Sequence, residues 1–357
     1  MKIFQCDNCK QPVYFDNERC EGCGSVLGFL PSELRFVAVS QEKGAWKALA
    51  RPDLMVQFCE NHSHDACNWL VDAGVSESFC PSCRLNQTIP PLNIAQNRDA
   101  WRSLERGKRR LIYSLLRLGL PLENKTKSTE TGLAFDFLSE DAQTVTDGPV
   151  LTGHSNGLIT LNIAEADPVH RERARRSMGE PYRTIIGHFR HEVGHYYWER
   201  LVHTETNTLE SFRALFGDER SDYGEALETY YKNGPVSNWP DQFLSAYASA
   251  HPWEDWAETW AHYLHLLDTL ETAHAFGMRL APNLASMEAL SLHTTFDPYG
   301  ETDIDTILSA ALPLTLAVNS LNRGMGQPDI YPFVLPPPVV EKLRFIHELV
   351  RGKGVPK

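Results

Sequence analysis

Two histidines and a glutamate stand together in the segment "GHFRHEVGHYYWERL", residues 187–201. His191 and His195 are four residues apart, so on a helix their imidazoles project from one face, one turn apart. Two neutral imidazoles in this arrangement can hold Zn²⁺ while Glu192, beside them, takes a proton from an activated water. The chain has 14 histidines, so a chance pair on one helix face is the competing interpretation.

A catalytic zinc needs a third protein ligand. The extended pattern H-E-x-x-H-x-x-G-x-x-H is excluded, because Trp198 and Leu201 occupy its Gly and His positions. The later segment "SAHPWEDWAETWAHYLHLL" supplies Glu254 and Glu258, one turn apart on a helix that Pro252 can begin. We predict that Glu254 is the third ligand and that Glu258 accepts the other ring N–H of a ligand histidine. The two glutamates could exchange these roles.

The alternative interpretation of this helix is that both glutamates are solvated. Large and small apolar residues cover much of its surface, namely Trp253, Trp256, Ala257, Trp260 and Ala261. Acidic groups among them are expected to be buried and to need a partner, and a metal ion is the simplest one. The other histidines near the motif and on the later helix, His188, His203 and His265, are expected to be core or surface residues.

All eight cysteines lie within the first 83 residues, which indicates metal binding in a chain without an export signal. The first four form two C-x2-C pairs separated by ten residues, the pattern of a zinc ribbon with a structural zinc: Cys6, Cys9, Cys20 and Cys23. The other four are less regular: Cys59, Cys67, Cys80 and Cys83. We predict a second structural zinc on these four, with His62 and His64 as rival ligands.

Charge limits the role of this cysteine-rich region. Residues 1–90 hold eight Lys or Arg against eleven Asp or Glu, and each zinc held by four thiolates adds about two negative charges. A ribbon that binds nucleic acid would be basic, so we expect a structural role or one in docking a protein partner. The whole chain has a formal charge of −12, which also disfavours nucleic acid and acidic membranes as partners.

A basic cluster in "WRSLERGKRRLIYSLLRLGLP" could still touch nucleic acid: Arg106, Lys108, Arg109 and Arg110. We interpret it instead as the solvated face of an amphipathic helix that turns Leu111, Leu115 and Leu118 inward. The 357 residues contain no apolar run long enough for a membrane span, and "MKIFQCDNCKQPVYF" lacks the apolar region of a signal peptide. We therefore expect a cytoplasmic protein with no membrane partner.

A Pro-rich polar stretch, residues 84–100, predicts a boundary between a domain at 1–92 and a domain at 93–357. Strands are predicted at about 132–138 and 157–164 from their β-branched and alternating residues. The second strand could present an exposed edge to an extended peptide, so that Ile159, Leu161 and Ile163 position a substrate. It could equally be a central strand. Strands followed by longer helices predict an α+β fold.

At this point the chain resembles the gluzincin metallopeptidases, in which H-E-x-x-H is followed by a glutamate in a setting like "EDWAE". The whole layout is similar to bacterial zinc-binding metallopeptidases with an N-terminal zinc-ribbon region, through segments such as "FCPSCRLNQTIP", "GEPYRTIIGHFRHEVGHYYWERLV" and "YPFVLPPPVVEKL". The resemblance implies zinc-ribbon modules followed by a mainly helical gluzincin-like domain with a small β-sheet. Glu258 departs from the aspartate that gluzincins usually carry at that position.

The resemblance and the motif together predict hydrolysis of peptide bonds in a peptide or protein substrate, with one catalytic and two structural Zn²⁺ ions and Glu192 as general base. Tyr223 in "DERSDYGEAL" and His262, one turn beyond Glu258, are candidates to stabilise the oxyanion. The alternative is a catalytically weak adaptor that binds a protein partner, against which an intact Glu192 argues. A nucleic-acid-binding ribbon protein is the third hypothesis, disfavoured by charge.

Overall fold

The computed structural model describes residues 2–42, 44–126, 131–140, 150, 152–178, 184–283, 288–331 and 333–352. The chain forms two compact units, Met1–Asp167 and Pro168–Lys357. The boundary predicted at residues 92 and 93 lies inside the first unit, because the strand that follows the last cysteine pairs with a strand beyond residue 130.

The cysteine-rich part of the first unit is built from β-strands. They are β1 (Phe4–Gln5), β2 (Pro12–Val13), β3 (Val26–Leu30), β4 (Arg35–Glu42), β5 (Ala45–Ala48), β6 (Arg51–Phe58) and β7 (Leu70–Asp72). β1 pairs with β2, and β3 to β7 form one antiparallel sheet in sequence order. Phe29 of this sheet packs within 4.9 Å of Trp69 and 6.0 Å of Tyr113, measured between ring centroids. These aromatic contacts add to an aliphatic cluster in the same sheet, formed by Leu30, Val37, Val39, Ala48, Val56 and Leu70.

The rest of the first unit is one helix and a second sheet. The elements are β8 (Asn86–Thr88), α1 (Ala95–Arg117), β9 (Ala134–Leu138), β10 (Gly153–Ser155) and β11 (Leu158–Asn162). Their sheet order is β10-β11-β9-β8, and β11 runs parallel to β9 and antiparallel to β10.

This order corrects one prediction. β11 is central, since both of its edges are hydrogen-bonded to neighbouring strands. Ile159, Leu161 and Ile163 are buried, at 0%, 1% and 6% exposure. The free edge proposed for peptide binding is therefore absent from β11, and these three side chains fill the core instead.

The predicted solvated face of α1 is also partly wrong. The Arg106 side chain is 58% exposed, as expected, but Lys108 is fully buried and Arg109 is 6% exposed. Buried cations require a buried partner, and Lys108 pairs with the equally buried Glu105 at 2.8 Å.

The second unit is mainly helical. Its helices are α2 (Pro168–Met178), α3 (Ile185–Leu201), α4 (Thr206–Phe216), α5 (Tyr223–Asn233), α6 (Trp239–Gln242), α7 (Pro252–Ala275), α8 (Ile304–Gly324) and α9 (Pro337–Val350). A small sheet pairs β12 (Arg279–Leu280) with β13 (Leu292–His293). α3 and α7 pack along each other, with Tyr197 stacked on Trp260 at 4.9 Å. No residue of α5 is fully buried, although Ala226, Leu227 and Tyr230 are half-buried. The β-rich region followed by helices confirms the predicted α+β class.

Within the described residues, one helix has the length and apolar character of a membrane span. It is α8, whose most apolar window has a mean hydropathy of 1.4 and is 44% buried in the structure. Core helices of globular proteins share these properties, so the feature is weak evidence for a membrane.

Candidate functional site

The approach of two helices creates the candidate centre. Gly194 lies where a Cβ atom would stand 3.1 Å from Ala257 Cα and 3.2 Å from Trp260 Cδ1. The absence of a side chain therefore lets α3 lie directly against α7. Trp256 Nε1 donates a hydrogen bond to the Gly194 carbonyl at 2.8 Å, which fixes the register of the two helices. This packing turns the histidine face of α3 toward the first turn of α7.

His191, His195 and Glu254 meet at this contact. His191 Nε2 lies 3.0 Å from Glu254 Oε2, and His195 Nε2 lies 3.7 Å from Glu254 Oε1. One donor atom from each residue falls within 4.8 Å of the others, a spacing that a single metal ion can bridge. The structure thus brings together the three residues predicted as ligands of a catalytic zinc.

Glu258 and Ser245 orient the first histidine. The Nδ1–H of His191 donates to Glu258 Oε1 at 2.9 Å, and Ser245 Oγ donates to Glu258 Oε2 at 2.7 Å. With Nδ1 protonated, the lone pair of Nε2 points toward Glu254. The longer glutamate side chain makes the contact predicted for it, although gluzincins usually place aspartate there. Ser245 was missed, because it lies in an irregular segment with no recognisable motif.

The residues present fit a metal ion. Glu254 is 1% exposed, and its Oε2 atom faces His191 Nε2 at 3.0 Å. Because Glu258 accepts the Nδ1–H of a neutral His191, the two facing atoms then both carry lone pairs, and a proton or a metal ion between them relieves the repulsion. Burial opposes ionisation of Glu254, but His195 and His191 outweigh it and lower its pKa to about 2. Two imidazoles and one carboxylate form the protein ligand set of many catalytic zinc ions.

Glu192 is held beside this centre by a histidine. Glu192 is 6% exposed, and its Oε1 lies 3.1 Å from His188 Nε2, one helical turn earlier. Burial alone would raise the pKa of Glu192, but the hydrogen bond with His188 and the neighbouring histidine charges lower it. Glu192 is therefore an ionised carboxylate able to accept a proton. His188 was predicted to be a core or surface residue, and only its spacing from Glu192 signalled this contact.

Tyr223, a predicted oxyanion donor, contacts a ligand of the centre. Its hydroxyl donates to Glu254 Oε1 at 2.7 Å, and 38% of the residue is exposed. Burial of the phenol and the Glu254 charge raise the pKa of Tyr223, so the hydroxyl remains protonated and able to donate. At the start of α7, His251 Nε2 lies 3.1 Å from the Ser221 carbonyl oxygen. This contact connects the segment just before α5 to α7.

His262 does not fit the role predicted for it. The residue is 3% exposed, its Nδ1 lies 2.9 Å from the Tyr331 hydroxyl, and Phe333 packs edge-on at 4.2 Å. Burial lowers the pKa of His262 to about 4. Although His262 follows Glu258 by one turn, α7 is enclosed at this level, so the imidazole faces the core and cannot reach a substrate oxyanion.

A cavity of about 410 Å³ lies against α5. Its lining includes Ser221, Asp222, Glu225, Thr229, Tyr230 and Ser249. The Tyr247 ring lies 5.7 Å from the Tyr230 ring and 6.1 Å from the His191 ring, between centroids. Tyr247 therefore lies near both a ring that lines the cavity and a proposed ligand of the candidate centre.

The two cysteine groups are also assembled. In each group the four Sγ atoms lie within 4.8 Å of one another, and none of the eight described cysteines is in a disulfide. Backbone N–H groups of Trp69 and Cys80 donate to the sulfurs of Cys67 and Cys59 at 3.4 Å, as in zinc knuckles. His62 stacks on Phe58 at 4.1 Å, and neither His62 nor His64 joins the second group.

Comparison with known proteins decides the family. A family model described as "Putative zinc-binding metallo-peptidase" matches residues 97–349, and a zinc-ribbon domain model matches residues 3–94. This chain belongs to that zinc-binding metallopeptidase family. Uncharacterized proteins of Mycobacterium tuberculosis (strain H37Rv) and Mycobacterium bovis are 43% identical to this metallopeptidase over 350 residues, 98% of this chain and 95% of theirs. No solved structure matches it.

Family membership supports zinc as the metal and a peptide or protein as the substrate of this metallopeptidase. The zinc-ribbon match and the two groups of four cysteines support the predicted structural zinc sites.

Proposed function

We propose that this protein hydrolyses peptide bonds at a zinc centre formed by His191, His195 and Glu254, with Glu192 as general base. The observation that carries the proposal is the meeting of donor atoms from His191, His195 and the buried Glu254 within 4.8 Å of one another, with the buried Glu192 carboxylate next to His191 on the same helix. Zinc in this position supplies Lewis-acid activation of a water molecule and of the scissile carbonyl.

The residues around the centre then have separable roles. Glu192 accepts the proton of the attacking water and returns it to the leaving amine. His188 orients the Glu192 carboxylate through the 3.1 Å contact. Glu258 and Ser245 hold His191 with its Nε2 lone pair toward the ligand position. Tyr223 supplies a protonated hydroxyl beside Glu254 that can donate to a developing oxyanion.

The test combines metal content with cleavage. Zinc is counted in purified wild type, Glu254→Ala and Glu192→Gln, and cleavage of casein and of a mixed peptide library is followed by mass spectrometry. We expect about three zinc ions in wild type and Glu192→Gln, and one fewer in Glu254→Ala. Cleavage should be abolished in both variants. Glu210→Gln, an exposed substitution of the same chemistry on α4, should match wild type in both assays.

Zinc content that is unchanged in Glu254→Ala would contradict the ligand assignment. Full zinc content without cleavage of any library peptide, under conditions where the fold is intact, would instead favour the adaptor alternative. The library is included because a narrow sequence preference would leave casein intact.

A further inference from the structure

Helix α1 presents one face to the second group of cysteines, Cys59, Cys67, Cys80 and Cys83, here called the second cysteine cluster. Arg102 Nε donates to the His64 carbonyl at 2.6 Å, and Arg109 Nη1 donates to the Ala66 carbonyl. Residues 102 and 109 are two helical turns apart, so they share a face. Both carbonyls belong to the loop that leads into Cys67.

Lys108 lies on the neighbouring face of α1, inside the unit. Its Nζ is fully buried, donates to Glu105 Oε1 at 2.8 Å and also bonds to Asn86. Glu105 is equally buried, and its Oε2 lies 3.9 Å from Cys83 Sγ. The Nζ atom also lies 5.3 Å from the centre of the Phe137 ring. Lys108 is therefore enclosed between the second cysteine cluster and the sheet that contains β9.

The charges of these residues do not balance by themselves. Glu105 compensates one of the two buried cations, Lys108 and Arg109, and leaves an excess of one positive charge. Asp16, another acid near Arg109, forms an ion pair with Arg110. Four thiolates around one Zn²⁺ carry about two negative charges. A metal-loaded second cysteine cluster thus supplies the anion that a buried arginine and lysine require.

We propose that Lys108 and Arg109 are the counter-charges of a zinc tetrathiolate at the second cysteine cluster, and that the docking of α1 depends on zinc at that cluster. α1 opens the part of the chain that matches the metallopeptidase family, residues 97–349, whereas the cluster belongs to the zinc-ribbon match. The second zinc therefore holds the start of the metallopeptidase region against the zinc-ribbon region within the first unit. This inference does not depend on the proposed peptidase activity.

The same geometry argues against the alternative that the basic cluster of α1 contacts nucleic acid. Lys108 and Arg109 are enclosed, so they cannot contact nucleic acid in this structure. Arg106 is exposed on the same helix and serves as a matched control.

The test measures zinc retention at each cysteine group in the full-length protein. Wild type, Lys108→Met, Arg109→Met, Arg109→Lys and Arg106→Met are titrated with a zinc chelator and pulsed with N-ethylmaleimide. Peptide mass mapping then reports which cysteines have been alkylated. Cys6 and Cys9 of the first group serve as an internal reference in every molecule.

We expect Lys108→Met and Arg109→Met to release zinc from the second cysteine cluster at about 10- to 100-fold lower chelator concentration than wild type. Labelling of the first group should not change. Arg106→Met should match wild type, and Arg109→Lys should recover most of the retention because it keeps the charge.

Glu105→Gln is expected to have the opposite effect on zinc retention. This variant removes a buried negative charge beside Cys83, so it should retain zinc at least as tightly as wild type. A variant that merely disrupted packing would lose zinc instead. Equal retention in Arg109→Met and Arg106→Met, or zinc loss in Glu105→Gln as large as in Arg109→Met, would overturn the proposal.

Discussion

His188 Nε2 lies 3.1 Å from the carboxylate of Glu192, one helical turn before it on α3. The contact connects a residue outside the metal-binding motif to the group proposed as general base. It orients the carboxylate and stabilises its ionised form, in opposition to the effect of burial.

Replacement of His188 by Gln should therefore impair the proposed reaction without removing metal. We expect kcat/KM to fall about tenfold or more, because the base is less well placed. The contact lowers the pKa of Glu192, so its loss should raise that pKa and move the acidic limb of the pH profile of kcat/KM to higher pH. His203→Gln, at an exposed position just after α3, is the control. An unshifted acidic limb would assign His188 a purely structural role.

Gly194→Ala should separate α3 from α7. The added Cβ would stand 3.1 Å from Ala257 Cα, which is backbone and cannot move aside alone. We expect the free energy of unfolding to fall by about 1–3 kcal/mol, despite the better helix propensity of alanine. Thermal denaturation measures the loss of stability. Zinc content measures whether the separated helices still hold the metal. Gly224→Ala on α5 meets its nearest atom at 3.5 Å and should be neutral or stabilising.

Ser245→Ala should weaken zinc binding at the candidate centre. The serine hydroxyl holds Glu258, which in turn holds the His191 ring. Removal of such supporting groups costs about tenfold or more in metal affinity. Competition with a zinc chelator gives the affinity, and Ser211→Ala on an exposed part of α4 controls for loss of a hydroxyl. Unchanged affinity would show that Glu258 alone orients the ring.

Tyr223→Phe tests the predicted oxyanion donor. If the hydroxyl moves from Glu254 to the oxyanion during the reaction, kcat should fall about 100-fold with little change in KM or zinc content. If the hydroxyl only supports Glu254, zinc affinity should fall and kcat of the zinc-saturated enzyme should not. Tyr231→Phe, 57% exposed on the same helix, should leave both quantities unchanged.

The features predicted well from the sequence are those that helix geometry determines locally. His191 and His195 share a face because four residues make about one turn, and Glu254 and Glu258 follow the same rule on α7. The apolar residues around the two glutamates also indicated burial, and the structure buries Glu254 fully and leaves the Glu258 side chain 20% exposed.

The wrong predictions depended on contacts between distant parts of the chain. The central position of β11 is set by its pairing with β9 and β10. His262 shares a face with Glu258, but the packing of Tyr331 and Phe333 closes that face one turn later. Lys108 and Arg109 resembled solvated residues because their contacts are with distant segments: Lys108 bonds to Asn86, and Arg109 to the Ala66 carbonyl.

No residue of α5 is fully buried, yet the helix carries Tyr223 and several residues that line the cavity. A helix with little fully buried surface opens at a small fraction of the free energy needed to unfold the whole unit, whereas α7 is buried along most of its length. Amide hydrogens of α5 should accordingly exchange with solvent far faster than those of α7. Local opening of α5 therefore changes the shape of the cavity and releases the Tyr223 hydroxyl from Glu254, while the packed α3–α7 pair that carries the proposed ligands stays folded.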